Sequence, residues 1–287
     1  MIPGINVSQW QHEINWAEVK RSGVKFAFIK ATEFPDKQIS LLVDNKLAEN
    51  LEGAKLSSML WSALHTFRAH VDPVLQAQLF CESVGDFSSL PPAVEIKSSG
   101  TRGERLNYKA RQFLDEVEKI TFRKPILLTN NAFWRENMSF EKQSQTDWAA
   151  EYPLWLAHYT TLWPNPIYPW PAWNFWQYSD KGRLPGIQTV VNLNWFAGSE
   201  EDLREKFIPS EEDHRFVYVF EDEEQGQIPV VINKTPLSDQ PRAEQYKGDY
   251  QEEPQKSATP QGFNPIKKPS GQKYSSNQEN WIKDYFF

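Results

Sequence analysis

Eight short apolar runs, rich in β-branched and aromatic residues, punctuate the first two-thirds of the chain. They are "GINVS" (4–8), "FAFIKAT" (26–32), "LWSALHTF" (60–67), "AVEIK" (93–97), "PILLTN" (125–130), "LWLAHY" (154–159), "FWQYS" (175–179) and "VVNLN" (190–194). Longer stretches of helical period separate the early ones: "NWAEVKRSG", "VDNKLAENLEGAKL", "DPVLQAQLFCESVG" and "NYKARQFLDEVEKI". Strands that alternate with helices belong to a parallel sheet. Gly23, Gly53 and Gly85 stand where helix-ending glycines belong. The helices are concentrated in the first half of the chain. The expected fold class is therefore α/β: a modified (β/α) TIM-like barrel with eight strands and fewer helices, followed by an extended C-terminal tail.

Three segments follow from the composition. Residues 1–207 carry the barrel. Residues 208–234 include "RFVYVFEDEEQGQIPVVIN", two β-rich runs around an acidic, glycine-containing turn, which reads as a hairpin. Residues 235–287 are rich in Pro, Gln, Ser, Lys and Glu and poor in aliphatics, so they are not expected to fold alone. That tail ends in "NQENWIKDYFF", where Trp281, Tyr285, Phe286 and Phe287 suggest an anchor for a protein partner. The alternative is a terminus that packs back on its own barrel.

With 287 residues, 39% of them hydrophobic, the chain is long enough to bury a large core. A net charge of −7 does not suit nucleic acid, whose phosphates need a basic surface. No run of about 18 apolar residues offers a membrane span. Met1 leads almost directly into the first strand, so no signal peptide is expected. Synthesis in the cytoplasm, with later incorporation into a virion or other large assembly, is the expectation. The single cysteine, Cys81, allows no intrachain disulfide, and the scattered histidines offer no metal-ligand spacing. Neither a metal nor a cofactor is expected.

In parallel barrels the reactive groups sit at the carboxyl ends of strands, which directs attention to the last residues of each run. Six blocks fix a resemblance there: "GINVSQWQ", "NWAEVKRSGVKFAFIKATE", "HTFRAHVDPVLQAQLF", "PLWLAHY", "FWQYSDKGRLPGI" and "VVNLNWFAG". In this order, from Ile2 to about Gly198, the chain resembles glycoside hydrolase family 25, the lysozymes (muramidases) of fungal and phage type. The resemblance implies a barrel with fewer helices than strands and a cleft for peptidoglycan or another amino-sugar glycan.

The chemistry implied by the family does not carry over. Its first strand typically supplies an Asp where this chain has Asn6. Its fourth strand ends Asp-x-Glu, the Glu being the proposed general acid, and here the triplet is Glu95-Ile96-Lys97. A further Asp of the last strand is replaced by Asn192, and two tyrosines usual in the family by Leu64 and Leu128. Glycoside hydrolysis needs one protonated carboxyl and one ionised carboxylate. A lysine amine, with an ordinary pKa of about 10.4, holds its proton too tightly to donate it at neutral pH. Loss of a general acid typically costs about 10²–10⁴ in rate. Asn6 and Asn192 can hydrogen-bond a sugar but cannot take up a proton. Glu33 is the best candidate for a rescuing acid. Like Glu33 itself, Asp72 and Asp180 match positions that are often acidic in the family for structural reasons.

The family-equivalent positions Asn6, Glu95, Lys97 and Asn192 thus make up the candidate cleft. Trp155, Tyr159, Trp176 and Tyr178 lie on late strands whose alternation turns some of them inward. Tyr159, Trp176, Tyr178 and His65 are the candidate sugar contacts, although His65 equally suits a hydrogen-bonded core position. Trp10 and Trp16 are expected to pack the barrel. "WPNPIYPWPAW" (163–173) is expected to form a rigid loop over the barrel mouth. The expected function is a catalytically inactive, lysozyme-like component of a larger assembly, such as a phage virion or tail, that binds glycan or serves architecture. The alternative is an active muramidase with an altered acid set around Glu95.

Overall fold

A computed structural model describes residues 1–97, 100–139 and 142–208, together with two strands at 217–222 and 226–231. The tail at 235–287, with Trp281, Tyr285, Phe286 and Phe287, lies outside the described residues. The strands are β1 (Ile2–Val7), β2 (Phe26–Glu33), β3 (Leu42–Val43), β4 (Leu60–Arg68), β5 (Ala93–Lys97), β6 (Ile126–Thr129), β7 (Leu154–Ala157), β8 (Phe175–Gly182) and β9 (Val191–Phe196). The order β1-β9-β8-β7-β6-β5-β4-β2, with β1 also paired to β2, closes an eight-stranded barrel. Pairings from β1–β2 round to β7–β8 are parallel, whereas β9 runs antiparallel to both β8 and β1. Each of the eight expected runs supplies one barrel strand. The short β3, unforeseen, pairs antiparallel with the end of β2.

Four helices pack outside: α1 (Trp16–Arg21), α2 (Leu47–Leu56), α3 (Pro73–Val84) and α4 (Gly103–Thr121). Local chemistry sets their ends. Asn15 Oδ1 accepts the Glu18 N–H, and Asp72 Oδ1 accepts the Leu75 N–H ahead of Pro73 in the first turn of α3. Helix α4 buries Leu106, Ala110, Phe113, Leu114 and Val117, a three-and-four spacing that puts one stripe on the barrel wall. Gly23 and Gly85 do adopt positive φ beyond α1 and α3. Gly53 does not end a helix: it lies inside α2, and any side chain there would collide with the Trp16 indole. Its role is close approach of α2 to α1.

Strand alternation divides the core in two. Phe26, Phe28, Leu64, Leu128, Trp155, Phe175 and Phe196 point into the lumen. Phe28 stacks on Trp155 at 3.8 Å between ring centroids, with Phe175 edge-on to Phe28 at 5.2 Å. Gly4, opposite Phe26 in the β1–β2 register, leaves the room that the Phe26 ring fills. The alternate residues face outward and meet the helices.

Several sequence expectations fail at this layer. The 163–173 loop does not cover the mouth. Trp163, Trp170 and Trp173 are buried in the outer core, Trp170 against Trp134 and Trp173 against Trp176. The loop thus clothes the outer wall between β7 and β8, where a parallel barrel would otherwise place a helix. Trp176 is 0% exposed on that same outer face and donates to the His158 carbonyl, so it is no sugar contact. Tyr178 shares its face and stacks on Trp195, away from the lumen. His65 is also 0% exposed on the outer side of β4, stacked on Phe113 and hydrogen-bonded to Thr32 Oγ1 at 2.8 Å. Conversely Trp10, expected in the packing, is 55% exposed on the turn after β1.

Strands β10 (Val217–Asp222) and β11 (Gly226–Val231) pair antiparallel as a hairpin in a separate unit. Among the described residues no helix is long and apolar enough to cross a membrane.

Burial drives the His65 pKa down to about 3 from an ordinary 6.5. Below about pH 6.5 the unfolded chain therefore binds a proton that the folded chain refuses. Stability from this group is complete above pH 6.5 and is lost as the pH falls toward 3, by several kcal/mol in all. Urea midpoints measured across that range should fall more steeply for the intact chain than for His65→Gln.

Candidate functional site

The carboxyl ends of β2, β4 and β5 form one side of the barrel mouth. Alternation on β2 places Lys30 on the inner face in line with Phe26 and Phe28, and on β4 it places Thr66 and Arg68 above Leu64. On β5 the inner positions are Ala93, Glu95 and Lys97. The β4–β5 register sets Thr66 beside Glu95 and Arg68 beside Lys97. A polar chain results. Lys30 Nζ donates to Thr66 Oγ1, Thr66 donates to Glu95 Oε2 at 3.2 Å, and Lys97 Nζ lies 3.2 Å from the same oxygen. Lys30 Nζ also lies 3.5 Å from Glu33 Oε2. Burial pushes the Lys30 amine below its ordinary pKa, opposed by the nearby charges of Glu33 and Glu95.

Every contact of Glu95 in this chain uses it as an acceptor. Glu33, the rescue candidate, is tied to Lys30 rather than to Glu95. Asp44 holds another part of the rim. Its two oxygens accept the backbone N–H groups of Gln9 and Lys46, pinning the turn that carries Trp10. Burial raises its pKa, and those two backbone bonds act against the rise.

Amides occupy the opposite side. Asn6 and Asn192 face each other in the antiparallel β1–β9 register. One layer deeper, Asn194 is fully buried. Its Nδ2 donates to Asn6 Oδ1 at 2.8 Å, and its Oδ1 accepts the Trp155 indole N–H at 2.9 Å. Gln177 Nε2 donates to the Tyr159 hydroxyl at 3.0 Å. Tyr159 is 56% exposed at the end of β7. Its phenol pKa is raised by burial of the hydroxyl and by the charges of Asp180 and Glu95. Of the four expected sugar contacts, then, Tyr159 alone stands at the mouth.

Sequence reasoning left out Lys30, Thr66, Arg68, Gln177 and Asn194. A signal was available for three: Thr66 and Arg68 share a two-residue period with Leu64, and Asn194 with Asn192, whereas Lys30 and Gln177 share none with a residue singled out on their strands. The floor beneath them is apolar, with Leu64 and Leu128 in the positions noted above and Trp155 between the two polar sides.

The sequence description "Glycosyl hydrolases family 25" matches residues 5–187, from β1 to beyond β8. This chain belongs to that family. Lysozyme M1 of Streptomyces globisporus is 30% identical over 214 residues, covering 70% of each chain. The uncharacterized protein YegX of Escherichia coli (strain K12) is 35% identical over 211 residues, 71% of this chain and 72% of its own. Among solved structures, the bacterial lysozyme from Streptomyces coelicolor superposes with a TM-score of 0.61 at 28% identity, covering 70% of this chain and 94% of its own. The muramidase from Acremonium alcalophilum gives 0.62 at 26% identity, covering 71% and 97%. The family-25 assignment therefore spans the barrel and leaves the tail outside it.

The Trp155–Asn194–Asn6 chain gives a stability test. Asn194→Ala leaves a buried indole N–H without its acceptor, at a cost of about 1–3 kcal/mol. Chemical denaturation should show that loss, with the family-25 barrel still folded by circular dichroism.

Proposed function

We propose that this family-25 chain binds murein-type amino-sugar glycan at its barrel mouth without cleaving it, as a recognition or structural part of a larger assembly. The observation that carries the proposal is the Glu95 carboxylate, held as an acceptor by Lys97 and Thr66. A general acid must present a proton to the leaving oxygen, within hydrogen-bond reach of it. The position expected to supply that proton is Lys97, which offers an amine paired with Glu95 and no carboxyl group. Asn6 and Asn192, across the mouth, offer amide donors and acceptors but no charge. Glu95 is left to steady positive charge without an acid partner, which is half of a two-carboxylate mechanism.

Binding needs less. Tyr159 and Trp10 are exposed aromatics at the rim, suited to the apolar faces of sugar rings. The amides and the Lys–Glu pair supply hydrogen bonds for hydroxyl and acetamido groups. The relatives named lysozyme and muramidase support glycan of the murein class. The aromatic-ended tail suits a segment that docks on a protein partner, and a phage particle is the setting proposed for it.

Purified sacculi provide the test. The intact chain should sediment with them at micromolar concentration and release no muropeptides. Release that disappears in Glu95→Gln would establish the active-muramidase alternative instead. Absence of both binding and release would leave an architectural protein.

A further inference from the structure

The charges at the mouth are not evenly matched, and among its cations the mismatch falls on Arg68. Glu95 is engaged by Lys97 and Thr66, Glu33 by Lys30, and Asp44 by two backbone N–H groups. The charge of Asp180, on the strand next to β7, acts on Tyr159. Arg68, at the end of β4, has no carboxylate partner among the described residues, and its shielded Nε has no hydrogen-bond acceptor. A shielded Nε without an acceptor is costly to keep, and a guanidinium recognises planar two-oxygen anions with a fixed fork of donors.

The backbone that presents Arg68 is fixed on both sides. Gln76, itself fully buried on α3, accepts the Arg68 N–H at 3.1 Å and donates to the Arg68 carbonyl at 2.8 Å and the Val71 carbonyl at 3.2 Å. Register sets Arg68 directly beside Lys97, whose side chain is 45% exposed. Lys109 adds a further cation nearby, its amine on the carbonyl of Ala69. Two cationic side chains, side by side on adjacent strands above a polar Thr66–Glu95 layer, face the place where a bound sugar would lie.

We propose that Arg68 and Lys97 form an anion subsite at the barrel mouth that takes the free carboxylate of an acidic sugar. This deepens the glycan-binding function and rests on it. A carboxylate arriving between Arg68 and Lys97 meets a guanidinium without a carboxylate partner, and Lys97 bridges it to Glu95, so that no like charges are left facing each other. A neutral amino sugar gains neither contact. Selection for carboxylated glycan over its neutral counterpart follows, independent of whether the carboxylate belongs to a lactyl ether or to a uronate ring.

Calorimetric titration of the full chain with three ligands tests this: di-N-acetylchitobiose as the neutral sugar, the N-acetylglucosamine–N-acetylmuramic acid disaccharide with its lactyl carboxylate free, and a hyaluronan tetrasaccharide as the uronate source. At least one acidic ligand should bind about tenfold tighter than the neutral one. The preference should shrink as salt is raised. Arg68→Gln should bring acidic and neutral sugars to parity, and Arg68→Lys should restore part of the difference. The tighter of the two acidic ligands identifies the source of the carboxylate. If Arg68→Gln does not fold, the salt titration of the intact chain still decides. Equal binding of all three sugars, or a preference untouched by salt and by Arg68→Gln, overturns the subsite and leaves glycan binding standing. No binding of any sugar overturns both.

Discussion

A barrel of eight strands encloses a lumen just wide enough to be filled by side chains, and filling it is the constraint on which this structure depends. Every second residue of every strand must point inward, whatever its other duties. Phe28 stacked on Trp155, with Phe175 edge-on, meets that demand at mid-height and gives the mouth above it a rigid, apolar floor. Because the floor is rigid, the next inward layer is fixed too. Thr66 meets Glu95 and Asn6 meets Asn192 through register alone. The polar layer is positioned by the packing beneath it, without loops of its own.

If the chain binds glycan without cleaving it, as proposed, that division explains how carboxylate chemistry can lapse while the family-25 scaffold survives. An amide at position 6 still accepts the Asn194 N–H, as a carboxylate oxygen would, so the change from acid to amide leaves the hydrogen-bond chain to Trp155 intact. Lys97 in turn finds an anion in Glu95, and neither charge is left alone. What the proposal takes to be missing is specific to the reaction: a proton held loosely enough to give away. Sugar recognition, which asks for exposed aromatics and fixed hydrogen-bonding groups, draws on parts that remain.

Most of the barrel was legible in the sequence because two-residue alternation and helical period are strong, local signals. Closure with an antiparallel β9 was not, since strand direction depends on connections rather than on composition. The side of a strand was the harder question. Trp176 and Tyr178 differ in number parity from Phe175 and Gln177, but a strand with large aromatics on both parities does not reveal which parity is the inner one. The β2 irregularity after Lys30 also breaks the count, putting Thr32 beside His65 on the outer face. The Pro-Trp loop misled for a related reason: its tryptophans signal burial without saying against which surface. Asn6, Glu95, Lys97 and Asn192 were readable by their place in the family blocks. Thr66 and Arg68 were readable from their two-residue period with Leu64, whereas Lys30 emerged only when neighbouring strands were set in register.

The central claim is that the mouth lacks a group able to deliver a proton, and it is tested most directly by putting one back. Asn6→Asp, Lys97→Glu and Asn192→Asp combined should turn an inert chain into one that releases muropeptides from purified cell walls, with a rate gain of at least about 10²-fold over the unmodified protein. Brisk release by the unmodified protein, abolished by Glu95→Gln and not increased by the triple change, would contradict it.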